Sequence, residues 1–203
     1  MKLYFSPTSP FVRKCMLVLY LRDMMNEVQL VPAAGTPLDP NKLVTGANPV
    51  GKIPVLVTHD GKALHDSKVI TRYLDQRSGG GFYPTGADEF AVLTRESMAD
   101  GIMEAGILAV YETRLRPEGM RMGAITDAYH GKIERMLAAF EAEAAAVTKD
   151  DLTIDQIALA CALGYMDLRF QGVIGWRGKA PKVAEWYDEF RETPPMLMTA
   201  PKA

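Results

Sequence analysis

Signals for β-strands end near residue 80 of this 203-residue chain, and helical periodicity takes over almost completely beyond that point. A sheet buries a face and a helix buries a stripe, so a change of period part-way along a chain predicts two modules with separate cores. In the first part Lys2–Phe5 reads as a strand, after which Phe11, Cys15, Val18 and Leu19 recur at helical spacing. Short strands are predicted over residues 27–31, 53–57 and 62–64, the last following the turn-forming Asp60-Gly61 pair. A helix with Val69, Ile70, Tyr73 and Leu74 on one side comes next, and Asp66-Ser67 is placed to cap it. The predicted order is βαβ, an irregular segment, then ββα.

Ser78-Gly79-Gly80-Gly81 ends that helix. The turn formers that follow make residues 78–87 a linker between a first domain at 1–77 and a second at 88–203. In the second domain Phe90, Leu93 and Ile102 mark one long helix, and Ile133, Met136, Leu137 and Phe140 give the i, i+3, i+4, i+7 spacing of another. A third carries Ile154, Ile157, Ala158, Cys161, Tyr165 and Leu168. It opens on Thr153-Ile154-Asp155-Gln156, a capping box in which Thr153 and Gln156 satisfy each other's backbone donors. No internal repeat is visible, and the alanine-rich stretch at 142–146 is simply good helix former.

Composition removes several function classes. Hydrophobic residues make up 48% of the chain, enough for real cores, and 23 basic side chains stand against 25 acidic ones. That balance provides no broad positive field, which argues against nucleic acid as a partner. No stretch approaches the roughly 20 apolar residues of a membrane-spanning helix, and the opening MKLYFSPTSP lacks an apolar leader core, so a cytoplasmic protein without a membrane partner is expected. Cys15 and Cys161 are the only cysteines and sit far apart in helical patterns, which predicts neither a disulfide framework nor a zinc cluster. Cys15, one turn after Phe11, reads as a small core residue. His59, His65 and His130 lack ligand spacing with Cys, Asp or Glu, so no metal is expected.

Three segments of the first module carry more information together than apart: Ser9-Pro10-Phe11, then Asn48-Pro49-Val50-Gly51-Lys52-Ile53-Pro54-Val55-Leu56, then Asp66-Ser67. In this order and spacing across a βαβ/ββα module they resemble the cytosolic glutathione S-transferase superfamily. The resemblance runs over nearly the whole chain. Pro10–Lys14, residues 99–106 and 157–165, and the tail Ala200-Pro201-Lys202-Ala203 are similar to its bacterial YibF-like branch. It implies an α/β thioredoxin-like N-terminal domain that binds glutathione and an all-α C-terminal domain that offers a hydrophobic co-substrate site. It also implies a homodimer with a role in detoxification, and glutathione as co-substrate with no permanently bound cofactor.

The same resemblance assigns roles. Pro54 is expected to follow a cis bond, leaving the Ile53 backbone to pair in strand fashion with the cysteinyl part of glutathione. Asp66 and Ser67, at a helix N-terminus, suit the γ-glutamyl amino and carboxylate groups. Lys52 is a candidate partner for the glycyl carboxylate. Ser9 stands where the family keeps its catalytic hydroxyl or thiol, in an SPF motif like that of the tau class and, with cysteine in place of serine, of the omega class. A serine is no base at neutral pH, so its expected role is to donate a hydrogen bond to the glutathione thiolate. Thr8 and Ser6 are rivals in the same loop, and the plain alternative for Ser9 and Asp66 alike is helix capping.

Beyond the first domain, Met103, Gly106 and Tyr111 are candidate walls for the electrophile, while Met98, Met103, Met120 and Met122 equally suit a core or a dimer surface. Asp100 can reach a neighbouring subunit's glutathione, as acidic residues on this helix do in several family classes, although a solvated face is the simpler expectation. The activity expected is attack of the glutathione thiol on a hydrophobic electrophile or hydroperoxide, with glutathione peroxidase chemistry as a possible extension. A non-catalytic interaction or regulatory protein of the same architecture is the alternative. Thiol–disulfide exchange is disfavoured by the absence of CxxC and by serine at position 9.

Overall fold

In the computed structural model, which describes residues 1–147 and 151–201, strand β1 (Lys2–Phe5) lies at the centre of a four-stranded sheet. Lys202 and Ala203 of the tail fall outside the described residues. The sheet order is β2-β1-β3-β4, with β2 at Gln29–Pro32, β3 at Val55–Val57 and β4 at Ala63–Leu64. β1 pairs parallel with β2 and antiparallel with β3, and β3 pairs antiparallel with β4. The parallel pair is bridged by helix α1 (Pro10–Leu21), as a crossover connection requires. α2 (Lys42–Ala47) and α3 (Ser67–Arg77) complete this layer. The α/β thioredoxin-like class followed by helices is therefore the observed architecture.

Alternation along the strands sorts the core. Tyr4 is opposite Val55, and both join Ala33, Val44, Ala47 and Ile53 in the cluster under α2. Leu3 and Leu56, also opposite each other and both fully buried, point to the other face. α2 lies in the stretch expected to be irregular. It has only six residues, includes Gly46 and the β-branched Val44 and Thr45, and depends on its Asn41 cap, which accepts from Leu43 N–H at 2.9 Å, and on burial of Val44. All three strands after β1 start later than predicted, β4 by a single residue. A 3₁₀ turn at Met25–Glu27 precedes β2, and β3 begins only after Pro54, which has no N–H to give a ladder.

The chain divides into one compact unit running from Met1 to Tyr83 and taking in the tail from Met198, and a second unit of Pro84–Leu197. Asp75 explains why the first extends past α3. Its buried carboxylate accepts from Arg22 Nη2 at 2.7 Å and from the backbone of Phe82 and Tyr83 at 3.2 and 3.3 Å. Arg22 also donates to the Gly80 carbonyl at 2.8 Å and lies 3.6 Å from the centre of the Phe82 ring. The glycine-rich turn is thus clasped from both sides.

The second unit comprises α4 (Glu89–Arg114), α5 (Gly123–Ala142), α6 (Ile154–Arg169), α7 (Trp176–Lys179), α8 (Pro181–Phe190) and all but the last residue of α9 (Pro194–Met198). α6 is buried on every side from Ile154 to Met166, more than the single stripe read from its spacing. The small residues between the large ones, Ala158, Ala160, Ala162 and Gly164, allow neighbours to approach all round. α4 and α6 run parallel: Arg95 Nε donates to Asp155 Oδ2 at 2.6 Å, and eleven residues on Gly106 meets Tyr165 and Met166. At the start of α6 the expected capping box is present, with Thr153 N–H donating to Gln156 Oε1 at 3.0 Å. The Thr153 hydroxyl donates to Asp155 Oδ1 at 2.5 Å, which leaves its lone pairs for the first helical amides. In the last turn of α6, Asp167 accepts from Nη1 and Nη2 of Arg177 and from the Trp176 indole N–H. Among the described residues no helix is long and apolar enough to cross a membrane.

Because Asp155 is 2% exposed, Asp155→Ala leaves the mostly buried Arg95 without its nearest counter-charge and should cost about 3 kcal/mol. Thr153→Ala removes a cap and should cost about 1 kcal/mol. Urea unfolding followed by far-ultraviolet circular dichroism should rank the two in that order; equal midpoints would show that the Arg95–Asp155 pair does not hold α4 to α6.

Candidate functional site

Strand register brings the three motif segments to one end of the sheet. Tyr4 is opposite Val55, so the loop leaving β1 and the turn entering β3 lie at the same end. Leu64 is opposite Leu56, so β4 also points there, and it delivers Asp66-Ser67 beside them. Stretches that are 9, 53 and 67 residues along the chain become neighbours through two antiparallel pairings.

Ser9 occupies the N-cap of α1, with extended backbone (φ −81°, ψ 120°) and Pro10 at the first helical position. Its Oγ accepts the Val12 N–H at 3.3 Å. A hydroxyl that accepts through a lone pair retains its proton for donation, so capping and donation are compatible at this residue. Its rivals differ: Ser6 Oγ and Thr8 Oγ1 are 3.3 Å apart and engage each other.

The turn before β3 is built by buried Asn48. Its Oδ1 accepts from Val50 N–H at 2.9 Å, its Nδ2 donates to the Lys52 carbonyl at 2.8 Å, and its own carbonyl accepts from Gly51 N–H at 2.9 Å. Gly51 has φ +72°, which a side chain would resist. The Lys52 side chain is exposed, and Ile53-Pro54 follows as a cis peptide, as expected. Asp66 caps α3, its Oδ1 accepting from Lys68 N–H at 3.0 Å and Val69 N–H at 3.5 Å. The next residue, Ser67, is 2% exposed, and its carbonyl accepts the Thr71 hydroxyl at 2.8 Å. The His65–Asp66 peptide before this cap is also cis.

The three residues expected to wall a co-substrate site all lie on α4 of the helical unit. Met103 is fully buried. A Cβ on Gly106 would come within 2.9 Å of Met166 Cε and 3.2 Å of Tyr165 Cε1, so that glycine is where α6 comes up against α4. Tyr111 is half-exposed. Tyr165, which covers Gly106, has its phenol pKa raised by burial, with Arg169 acting the other way. Asp100, for which a solvated face was expected, is buried instead, on the same face of α4 as Glu96 and Met103. Met98 is half-buried, while Met120 and Met122 are more than half exposed. Cys15 and Cys161 are buried and form no disulfide. Among the described residues no group of His, Cys, Asp or Glu is arranged to hold a metal ion.

A cavity of about 190 Å³ lies within the first unit. Phe5 at the end of β1 lines it, with Ser6, Pro7 and Ser9 from the following loop and Arg13 and Met16 from α1. Met198, Thr199 and Ala200 of the tail close its far side. Arg13 Nε donates to Thr199 Oγ1 at 3.4 Å and ties tail to helix. Of this set, only Ser6 and Ser9 stand out in the sequence. Arg13 and Met16, four and seven residues after Ser9, share its helical face and were open to inference. The tail was not, since a contact across 186 positions leaves no local signal.

Comparison with known proteins agrees with the geometry. Residues 8–77 match the N-terminal domain of glutathione S-transferases and residues 123–189 the C-terminal domain. The chain is 33% identical over 177 residues, 83% of each protein, to the uncharacterized GST-like protein YibF of Escherichia coli K12. Among solved structures, a glutathione transferase family member from Pseudomonas fluorescens Pf-5 with bound glutathione is 38% identical. It superposes with a TM-score of 0.93, covering 100% of this chain and 99% of that one. A glutathione S-transferase from Methylobacillus flagellatus KT with glutathione bound is 34% identical, with a TM-score of 0.88 and 99% coverage of each chain. Motif order, sheet topology and relatives agree, and the chain belongs to the glutathione S-transferase family.

Proposed function

We propose that this protein is a glutathione transferase that activates the glutathione thiol at Ser9 for attack on an electrophilic carbon or a hydroperoxide. The observation that carries the reading is the convergence of Ser9, Ile53-Pro54 and Asp66-Ser67 at one end of the sheet, with the Ser9 proton available for donation. The Ile53 N–H and C=O, at the turn into β3, offer strand-type pairing to the cysteinyl residue. Ser67, first residue of α3, stands at the positive end of a helix dipole, which suits the γ-glutamyl carboxylate. Asp66 can take the amino group, and Lys52, exposed beside the turn into β3, can meet the glycyl carboxylate. Relatives whose structures contain glutathione support the ligand.

The chemistry asked of Ser9 is modest. A free thiol has a pKa of about 8.5, and each unit of depression corresponds to about 1.4 kcal/mol. One hydroxyl donor at the N-terminus of α1 supplies a charge-assisted bond of that order. The thiol proton leaves to solvent. The sulfur then forms its bond to carbon as the leaving group departs with the electron pair, or to the distal peroxide oxygen as the alkoxide departs and takes a proton from solvent, leaving a glutathione sulfenic acid that a second glutathione thiol converts to the disulfide and water. Two buried thiols that form no disulfide are consistent with a reducing cytoplasm. A homodimer and a detoxifying role are part of the same proposal and rest on the family resemblance.

Ser9→Ala should leave glutathione bound while its thiol pKa returns toward about 8.5. Turnover with an aryl halide or hydroperoxide at neutral pH should then fall about ten- to a hundredfold, equivalent to roughly 1.4–2.8 kcal/mol. The ultraviolet absorbance of the bound thiolate against pH is the direct measurement. An unchanged titration would remove Ser9 from the role and pass it to Thr8 or Ser6.

Ser67→Ala should weaken glutathione binding by calorimetry about tenfold or more, because a hydrogen bond to a carboxylate is worth about 1.5–3 kcal/mol. A wild-type affinity in the folded variant would take Ser67 out of the site. No binding by the wild-type protein at millimolar glutathione would favour a non-catalytic module.

A further inference from the structure

Resting on the proposed role of Ser67, we infer that Tyr83 is a positioning residue for glutathione: through the Thr71 hydroxyl, its phenol holds Ser67 in the pose that receives the γ-glutamyl carboxylate. Neither Thr71 nor Tyr83 belongs to the motif segments at 9–11, 48–56 and 66–67. Thr71 stands one turn after Ser67 on α3 and is fully buried. Its hydroxyl lies 2.8 Å from the Ser67 carbonyl oxygen and 2.7 Å from Tyr83 Oη. A carbonyl can only accept, so the single Thr71 proton goes to Ser67, and Tyr83 donates its own to the Thr71 oxygen. The Lys68 carbonyl, 3.3 Å from Thr71 Oγ1 and 3.4 Å from Tyr83 Oη, is the more distant partner of both. The relay therefore runs from Tyr83 through Thr71 to Ser67, each bond polarising the next.

This relay completes the bracing of one peptide unit. The Ser67–Lys68 peptide gives its N–H to Asp66 Oδ1 at 3.0 Å, and its C=O takes the Thr71 proton. With both ends engaged, the backbone that carries the Ser67 hydroxyl is fixed in orientation before a ligand arrives. A threonine bonded to the carbonyl four residues back tends to bend a helix, so the course of the first turn of α3 depends on what else holds that hydroxyl. Tyr83 is itself anchored. Its N–H and that of Phe82 donate to Asp75 in the last turn of α3, and the Arg72 guanidinium lies 5.4 Å from the centre of its ring. The segment after α3 thus folds back along the helix, tied by its backbone to the last turn and by one phenol to the first.

Tyr83→Phe keeps the ring beside Arg72 and removes only the donor. Calorimetry should show glutathione bound about three- to tenfold more weakly, the range of one hydrogen bond. Kinetics should show the same factor in the glutathione KM with kcat unchanged, because the γ-glutamyl group is held alike in the ground and transition states. Thr71→Val, which also breaks the relay, should match Tyr83→Phe, and Thr71→Ser, which keeps the hydroxyl, should bind as wild type does. In a Ser67→Ala background Tyr83→Phe should change the affinity less than about twofold, since the hydroxyl that the relay positions is gone.

Wild-type affinity in folded Tyr83→Phe, a fall in kcat with KM unchanged, or the same loss with and without the Ser67 hydroxyl would overturn the inference while leaving the glutathione reading intact. Wild-type affinity in Ser67→Ala would overturn it together with the role of Ser67. Failure of the wild-type protein to bind glutathione at millimolar concentration would overturn both readings.

Discussion

β3 is bonded on both edges, to β1 through Tyr4 opposite Val55 and to β4 through Leu56 opposite Leu64, and the rest of the first unit depends on that register. A shift by one residue would exchange the two faces, turning Val55 away from Val44 and Leu56 away from its own side of the sheet. The same shift would separate the loop after β1 from the turn at Ile53-Pro54 and from the cap of α3. Folding and site assembly therefore rest on one set of hydrogen bonds. The apolar residues that fix the register are Leu3, Tyr4, Val55 and Leu56, none of them candidates for chemistry.

Three polar residues in this unit close local structure at the end of the sheet where the proposed site lies. Ser9 caps α1 through a lone pair, Asp66 caps α3, and Asn48 builds the turn that delivers Ile53. Orphan amides at a helix start and an anionic ligand answer the same electrostatic need, so a cap residue is already oriented for a ligand role. Asking whether such a residue is structural or functional therefore sets up a false opposition. The useful distinction is between its acceptor side, engaged by the backbone, and its donor side, which chemistry can use.

In the helical unit small residues and buried charges work together. Gly106 lets Tyr165 and Met166 come up against α4, and Arg95 with Asp155 fixes the relative height of the two helices at their other end. This close parallel approach takes Gly106 into helix packing. Gly106, which also reads as a wall of a substrate site, is the residue that makes the contact possible. A methionine stripe on a helix serves a core and a pocket equally well in sequence, and only the position of the neighbouring helix separates the two.

By itself the sequence determined the change from a mixed α/β module to helices, the Ser9, Ile53-Pro54 and Asp66-Ser67 signals, the box at Thr153 and Gln156, and the family. Each of these is written within a few residues, in periodicity or in cap and turn chemistry that acts locally. α2 was not legible because its six residues have weak intrinsic helicity and form a helix through the Asn41 cap and the burial of Val44. The burial of Asp100 and Met103, the placement of Gly106 against α6, and the closure of a cavity beside Ser9 by Met198 and Thr199 were decided by the tertiary structure alone. The contacts behind them join residues 59 to 186 positions apart, which the backbone brings together only after strands have paired and helices have docked, and no local pattern encodes which partner will arrive.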